Sequence, residues 1–195
     1  MTHFNRRQFG LLLASGAATL ALPTYLRAQA KPKVVVIGGG AGGATAARYI
    51  AKDSKGDIDV TLIDASEMFT TCFFSNLYLG GYRDFASITH GYDRLESNYG
   101  IKKITDYATA VDRAAKTVTL ADGSSVPYDR LVVSPGIDLI YDSVEGYSEE
   151  AAQIAPHAWK AGPQTQLLKA KLDAVKDGEQ IVMVTPPNPF RCRTL

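Results

Sequence analysis

Three glycines, Gly38, Gly40 and Gly43, stand in the spacing G-x-G-x-x-G within VVVIGGGAGGATAARYI. Each position has its own task in a turn that holds a diphosphate. The first allows a tight turn, and the second lets the backbone approach the phosphates. The third lets the following helix pack closely on a strand, with the diphosphate at the helix N-terminus. Asp64 follows about 20 residues on, where a carboxylate is placed to accept from a ribose hydroxyl. The set predicts adenine-dinucleotide binding, against the plainer alternative of a glycine turn without a ligand and a solvated Asp64. The glycines alone do not separate FAD from NAD. A second chemical candidate is Cys72, set among Phe69, Phe73, Phe74 and Tyr78 in SEMFTTCFFSNLYLGG. A thiol there is packing, half of a disulfide, a nucleophile or an attachment point. Packing is the usual role of a free buried cysteine.

The elements that must position these residues follow from hydrophobic pattern. Val34 to Ile37 is a continuous β-branched run, as in a strand buried on both faces. Gly38 to Gly43 interrupts it, and Ala44 to Ala51 reads as a helix with small residues toward the sheet. DVTLIDA, residues 59–65, is the next buried strand, and the three together make a βαβ unit. Residues 66–81 read as a loop or short helix. Ile101 to Ile104 starts another strand. TAVDRAAKTVTLADGSSVPY suggests a small hairpin turning at Asp122-Gly123. YDRLVVSPG is an apolar strand ending in Gly136. Residues 150–176 read as helix, with Ala151, Ala152, Leu167, Leu168, Leu172 and Val175 as its apolar positions. GEQIVMVTPPNPFRC reads as a last strand entering a proline-rich loop.

The N-terminus carries a different message. Arg6 and Arg7 precede an apolar run from Gly10 to Pro23, and AQA at 28–30 supplies small residues for cleavage after Ala30. The run is too short to span about 30 Å of hydrocarbon. This layout predicts an export signal, with Arg-Arg-Gln-Phe resembling a twin-arginine type, and a periplasmic mature protein. The expected division is a signal over 1–30, a Rossmann-like dinucleotide domain over 31–145, and the start of a second nucleotide-binding-like domain over 146–195. Charges nearly cancel, with 21 basic and 20 acidic residues, so no basic field argues for nucleic acid. Three histidines without ligand spacing predict no metal site, and no C-x-x-C-H motif predicts haem on this chain.

Two features favour FAD over NAD. YDRLVVSPG resembles the second FAD-contacting strand of two-dinucleotide-domain flavoproteins, with Gly136 at its turn. The later strand QIVMVTPPNP is followed by Pro186, Pro187 and Pro189 rather than by glycines, and prolines remove donors and block phosphate approach.

Together, VVVIGGGAGGATAARYI, TTCFFSNLYLGG, ITHGYD, YDRLVVSPGIDLIYDSVEGYSEEAAQIAPHAWKAGPQTQLL and PPNPFRC resemble the flavoprotein subunit of flavocytochrome c sulfide dehydrogenase, from Val34 to Cys192. The resemblance implies an α/β, glutathione-reductase-like fold whose FAD-binding domain is Rossmann-like. It implies sulfide oxidation with electrons passed to a c-type cytochrome subunit. Cys72 matches the cysteine to which the 8α-methyl of FAD is joined in known members. Cys192 matches one of a redox-active cysteine pair, and Arg191 beside it favours its thiolate. His157 and Trp159 fall in a family-like segment and read as packing. The family continues past PFRC, so the chain reads as truncated there, without the partner cysteine and the remaining domains. Three rivals stand beside this reading. They are a sulfide:quinone reductase relative, a nonfunctional FAD-binding fragment, and a flavoprotein that assists a sulfur-oxidising system.

Overall fold

The computed structural model describes residues 30–186; the Arg6–Arg7 pair and Cys192 lie outside them. The chain opens with β1 (Lys33–Ile37), α1 (Ala41–Asp53) and β2 (Asp59–Ile63). Next come β3 (Met68–Thr70), α2 (Ser75–Leu79), a 3-10 turn (Phe85–Ile88), β4 (Thr89–Gly91), α3 (Asp93–Tyr99) and β5 (Lys102–Ile104). Then follow β6 (Ala108–Asp112), β7 (Thr117–Leu120), β8 (Ser125–Pro127) and β9 (Arg130–Val133). A second 3-10 turn (Tyr141–Ser143) leads to α4 (Ala151–Ile154) and α5 (Pro163–Asp173).

The centre is a parallel sheet in the order β5-β2-β1-β9. Val34, Val35 and Val36 are all buried because β1 is covered on both faces. On one face, Val34, Val36, Val60 and Leu62 pack with Ala47 and Ala51 of α1, and with Tyr92 and Ile101. On the other, Val35 and Ile63 pack with Val118 and Leu120 of the antiparallel sheet β6-β7-β8. The expected α/β class and the βαβ unit are both present. Among the described residues no helix is long and apolar enough to cross a membrane.

Several boundaries differ from the sequence pattern. Helix α1 begins at Ala41, three residues early, because Gly40 is extended (φ −68°, ψ −171°) and Gly42 and Gly43 are already helical. Residues 66–81 contain a strand as well as a helix, since β3 pairs with β4. The expected hairpin is the β7–β8 pair, with Gly123 at φ +85° in its turn, and β6 adds a third strand. The single helix expected over 150–176 is two. Helix α4 stops at Ile154, and Ala155 is non-helical ahead of Pro156, as proline dictates for its predecessor. Helix α5 restarts at Pro163, whose missing N–H costs nothing at the first helical position. Thr165, almost fully buried, accepts the Gly162 N–H on its Oγ1 at 3.1 Å. The strand expected at Ile181–Val184 is not formed. Its side chains are 60–75% exposed, with no neighbouring strand among the described residues to cover them.

Candidate functional site

The turn after β1 is built by interlocked backbones. Gly38 has φ +95°, donates its N–H to the Ile63 carbonyl at 2.8 Å, and would place a Cβ 1.9 Å from the Ser134 carbonyl oxygen. Side chains are excluded there on both conformational and steric grounds. A Cβ on Gly43 would stand 1.8 Å from the Gly38 carbonyl oxygen, which sets how closely α1 rests on the strand end. Gly40 is different. A Cβ there would meet nothing nearer than Phe69 at 3.5 Å. Its surroundings are open on the side of a cleft of about 560 Å³ lined by Gly39, Gly40, Ala41, Ala44 and Thr45 of the turn and first helix. The rest of the lining comes from Phe69, Thr71, Phe73 and Phe74, with Arg83, His90, Tyr92 and Arg94.

Helix α1 meets this cleft with its N-terminus free of a side-chain cap and with no acidic residue in its first turn. Its first N–H groups and its positive dipole end are therefore available to an anion. Asp64, half-buried at the end of β2, accepts the Gly39 N–H on Oδ2 at 2.5 Å and the Ser66 N–H on Oδ1 at 2.8 Å. Each carboxylate oxygen retains a further lone pair. Lys103 donates to the Asp64 and Ile104 carbonyls at 2.8 and 3.1 Å, and burial lowers its pKa. Tyr92 is pushed up to about 12 by burial first and by the Asp64 charge second.

The candidate residues thus fall into three places. Gly38, Gly40, Gly43 and Asp64 converge on the turn. Gly136, at φ +83° and exposed, follows the Ser134–Pro135 segment that presses on Gly38. Cys72 is exposed, which removes the dry setting its aromatic neighbours suggested. Phe73 and Phe74 are 62% and 58% exposed, because this segment forms the rim of an open cleft rather than an interior. Thr71 and Phe73, on either side of Cys72, line the cleft, and the Cys72 carbonyl accepts from Ser75 Oγ at 2.9 Å. Phe74 holds left-handed backbone (φ +66°) under the Arg83 guanidinium, 4.5 Å from its ring centroid. Tyr92, Lys103, Arg83 and Arg94 carry no pattern that identifies them in the sequence. Tyr92 does fall within the ITHGYD stretch, and Arg94 follows it directly.

His157 lies outside the cleft lining, in the link between α4 and α5. Its Nδ1 is buried with no hydrogen-bond partner among the described residues, and its pKa is lowered by burial first and then by Lys160, against Asp138. The folded state therefore binds this proton less readily than the unfolded chain. Stability should fall as pH drops below 6.5, the ordinary histidine value, and level off below the folded pKa. Thermal melts of wild type and His157→Gln across that range should diverge, with the variant losing less.

The profile of the pyridine nucleotide-disulphide oxidoreductase family matches residues 32–182. Sulfide-quinone reductase of Aquifex aeolicus (strain VF5) is 35% identical over 140 residues, which is 70% of this chain and 32% of that protein. The flavoprotein chain of sulfide dehydrogenase (flavocytochrome c) from Chlorobaculum thiosulfatiphilum is 50% identical over 44 residues, 23% of this chain and 90% of that sequence. The solved structure of the Aquifex aeolicus sulfide:quinone oxidoreductase matches with a TM-score of 0.58 at 27% identity, covering 73% of this chain and 32% of that one. The chain spans about a third of the length of the sulfide-quinone relatives.

Proposed function

Because this chain belongs to the pyridine nucleotide-disulphide oxidoreductase family, we propose that it forms the FAD-binding part of an enzyme that oxidises sulfide and passes the electrons to a c-type cytochrome subunit. The observation that carries the FAD reading is the interlocked glycine turn opening onto an uncapped helix N-terminus, with room for a ligand beside Gly40. The residues present fit the dinucleotide. The Gly38–Gly43 turn and the first turn of α1 would hold the diphosphate. The spare lone pairs of Asp64 would take the ribose. The segment ending at Gly136 would close the near side, and Cys72, on the rim, is the proposed attachment point. When bound, FAD supplies a two-electron acceptor for reduced sulfur.

The chain's own residues bind, orient and shield. Phe69, Phe73 and Phe74 offer apolar surface along the cleft wall. Arg83 and Arg94 line the same cleft and add positive charge to it, which favours an anion over a neutral ligand. Cys192 is proposed as one member of the redox cysteine pair, and Arg191 as the group that favours its thiolate. Export by the Arg6–Arg7 signal and cleavage after Ala30 are part of the same proposal. So is the division into a FAD domain over 31–145 and a second domain beginning at 146. The 50% identity to the flavocytochrome c flavoprotein chain supports a cytochrome acceptor. The longer match to sulfide-quinone reductase supports a quinone acceptor as the second reading. Oxidised c-type cytochrome and a soluble quinone, offered separately to protein reduced with sulfide, would separate them by which absorbance changes.

The cofactor test comes first. The purified chain is denatured in acid, the precipitate is inspected for flavin absorbance, and its intact mass is measured. An increment of one FAD, absent in Cys72→Ser, is the expected result. Flavin that leaves with the supernatant would keep the FAD site and remove the attachment. Flavin in neither fraction would sink the reading.

A further inference from the structure

The peptide joining Gly39 to Gly40 is held by a residue that the glycine pattern does not contain. Tyr92, at the entrance to α3, is 6% exposed, and its hydroxyl donates to the Gly39 carbonyl at 3.1 Å. A Cβ at Gly39 would stand 2.3 Å from the Tyr92 oxygen, so the ring occupies the space a side chain would need. On its other side, Gly39 donates its N–H to Asp64 Oδ2 at 2.5 Å. Lys103 fixes the ring from behind. Its Nζ lies 4.9 Å from the Tyr92 centroid and is tied to the Asp64 carbonyl. A trans peptide is planar, and its C=O and N–H point in opposite directions. A Gly39 carbonyl fixed toward Tyr92 therefore fixes the Gly40 N–H away from it. Gly40 is the residue that caps α1 and lines the cleft.

We propose that Tyr92 is a positioning residue that sets the Gly40 N–H as a donor to the diphosphate of the bound dinucleotide. This rests on the FAD-binding reading and goes beyond it, because it names a residue outside the glycine turn that prepares one donor in advance. The hydroxyl acts on the peptide and not on the ligand. Its loss leaves the Gly39 carbonyl without its buried donor, and the peptide is then free to rotate toward another partner. The damage falls on ligands that carry phosphates.

The test uses the full chain carrying Cys72→Ser, which leaves any flavin non-covalent so that it can be stripped, as the wild-type reference, and the same chain with Tyr92→Phe, each titrated with ADP and with adenosine by calorimetry. The expected result is an ADP dissociation constant raised about tenfold in the variant, the size of one lost hydrogen bond, with adenosine unchanged. ADP binding equal to wild type would overturn the proposal. So would equal weakening of ADP and adenosine, which is what a merely structural role predicts. A second measurement does not depend on the variant's folding. In wild type, ADP should shift the Gly40 amide resonance and adenosine should not; an amide that ignores ADP overturns the proposal. Wild type that binds no ADP at all would overturn the FAD reading and this inference together. That outcome is distinct from a variant that matches a binding wild type.

Discussion

Gly43→Ala should destabilise the domain by about 3 kcal/mol, the upper part of the range for overpacking, and lower the melting temperature by about 10 °C. The added Cβ would lie 1.8 Å from the Gly38 carbonyl oxygen and 3.0 Å from its carbon, with Val36 Cγ1 at 3.3 Å. The first two are backbone atoms of a turn that is itself pinned to Ile63 and pressed by Ser134. No rotamer change relieves that contact, so α1 must lift from β1, and the cleft must widen with it. Gly42→Ala is the control one residue away. Its Cβ would meet only the Ser134 hydroxyl at 2.9 Å, which can rotate, and alanine is the better helix former by about 1 kcal/mol. Circular dichroism melts of both variants should show a large drop for Gly43→Ala and nearly none for Gly42→Ala. Equal melts would refute the close approach.

Asp64→Ala should weaken FAD binding about a hundredfold, from two charge-assisted hydrogen bonds to backbone N–H groups lost at once together with the ribose acceptor. The Gly39 N–H loses its acceptor on the side that holds the turn in register with β2. The Lys103 contacts go to the backbone carbonyls of Asp64 and Ile104, so they survive the substitution and keep β2 and β5 joined. Binding should therefore fail before folding does. Asp64→Asn should fall between, since its amide oxygen still accepts one N–H. Fluorescence titration of the flavin-free protein, made in the Cys72→Ser background so that flavin can be removed, reads all three. An Asp64→Ala variant that binds FAD as wild type does would mean the carboxylate serves only the turn.

The βαβ unit was legible because Val34–Ile37 is apolar without alternation, which burial on both faces explains, and because Val60, Leu62 and Ile63 supply a second apolar strand after the helix. The early start of α1 was not legible. Five glycines in six residues read as a break, yet Gly42 and Gly43 are helical, and at Gly43 the contact with the Gly38 carbonyl needs a residue without a Cβ. The split between α4 and α5 was available in Pro156 and the Gly162-Pro163 pair, but apolar residues counted across them masked it. Ile181–Val184 has the composition of a strand, and composition does not supply a neighbour to pair with. The setting of Cys72 misled for a related reason. Four aromatic neighbours suggest dryness, but whether rings face inward depends on the loop's path, and two of them form a rim. Tyr92 was beyond reach, since its partner Gly39 lies 53 residues away and no period connects them.

The sheet order sets a timetable for synthesis. Strand β9 takes its place beside β1 only when the chain has run far past it. The Lys33 N–H is tied to the Asp129 carboxylate across 96 residues, and the Ser134 N–H reaches the Ile37 carbonyl at 2.8 Å. A nascent chain emerging from the ribosome can pair β1 with β2 early, because that contact is local. The Ser134 segment that crowds Gly38 arrives much later, after the whole antiparallel sheet between β5 and β9 has been made. Until then the β1 edge is open and the glycine turn lacks its wall. On the FAD reading, a dinucleotide meets a finished turn only once residue 134 has been made, and a chain halted before it presents β1 with one open edge.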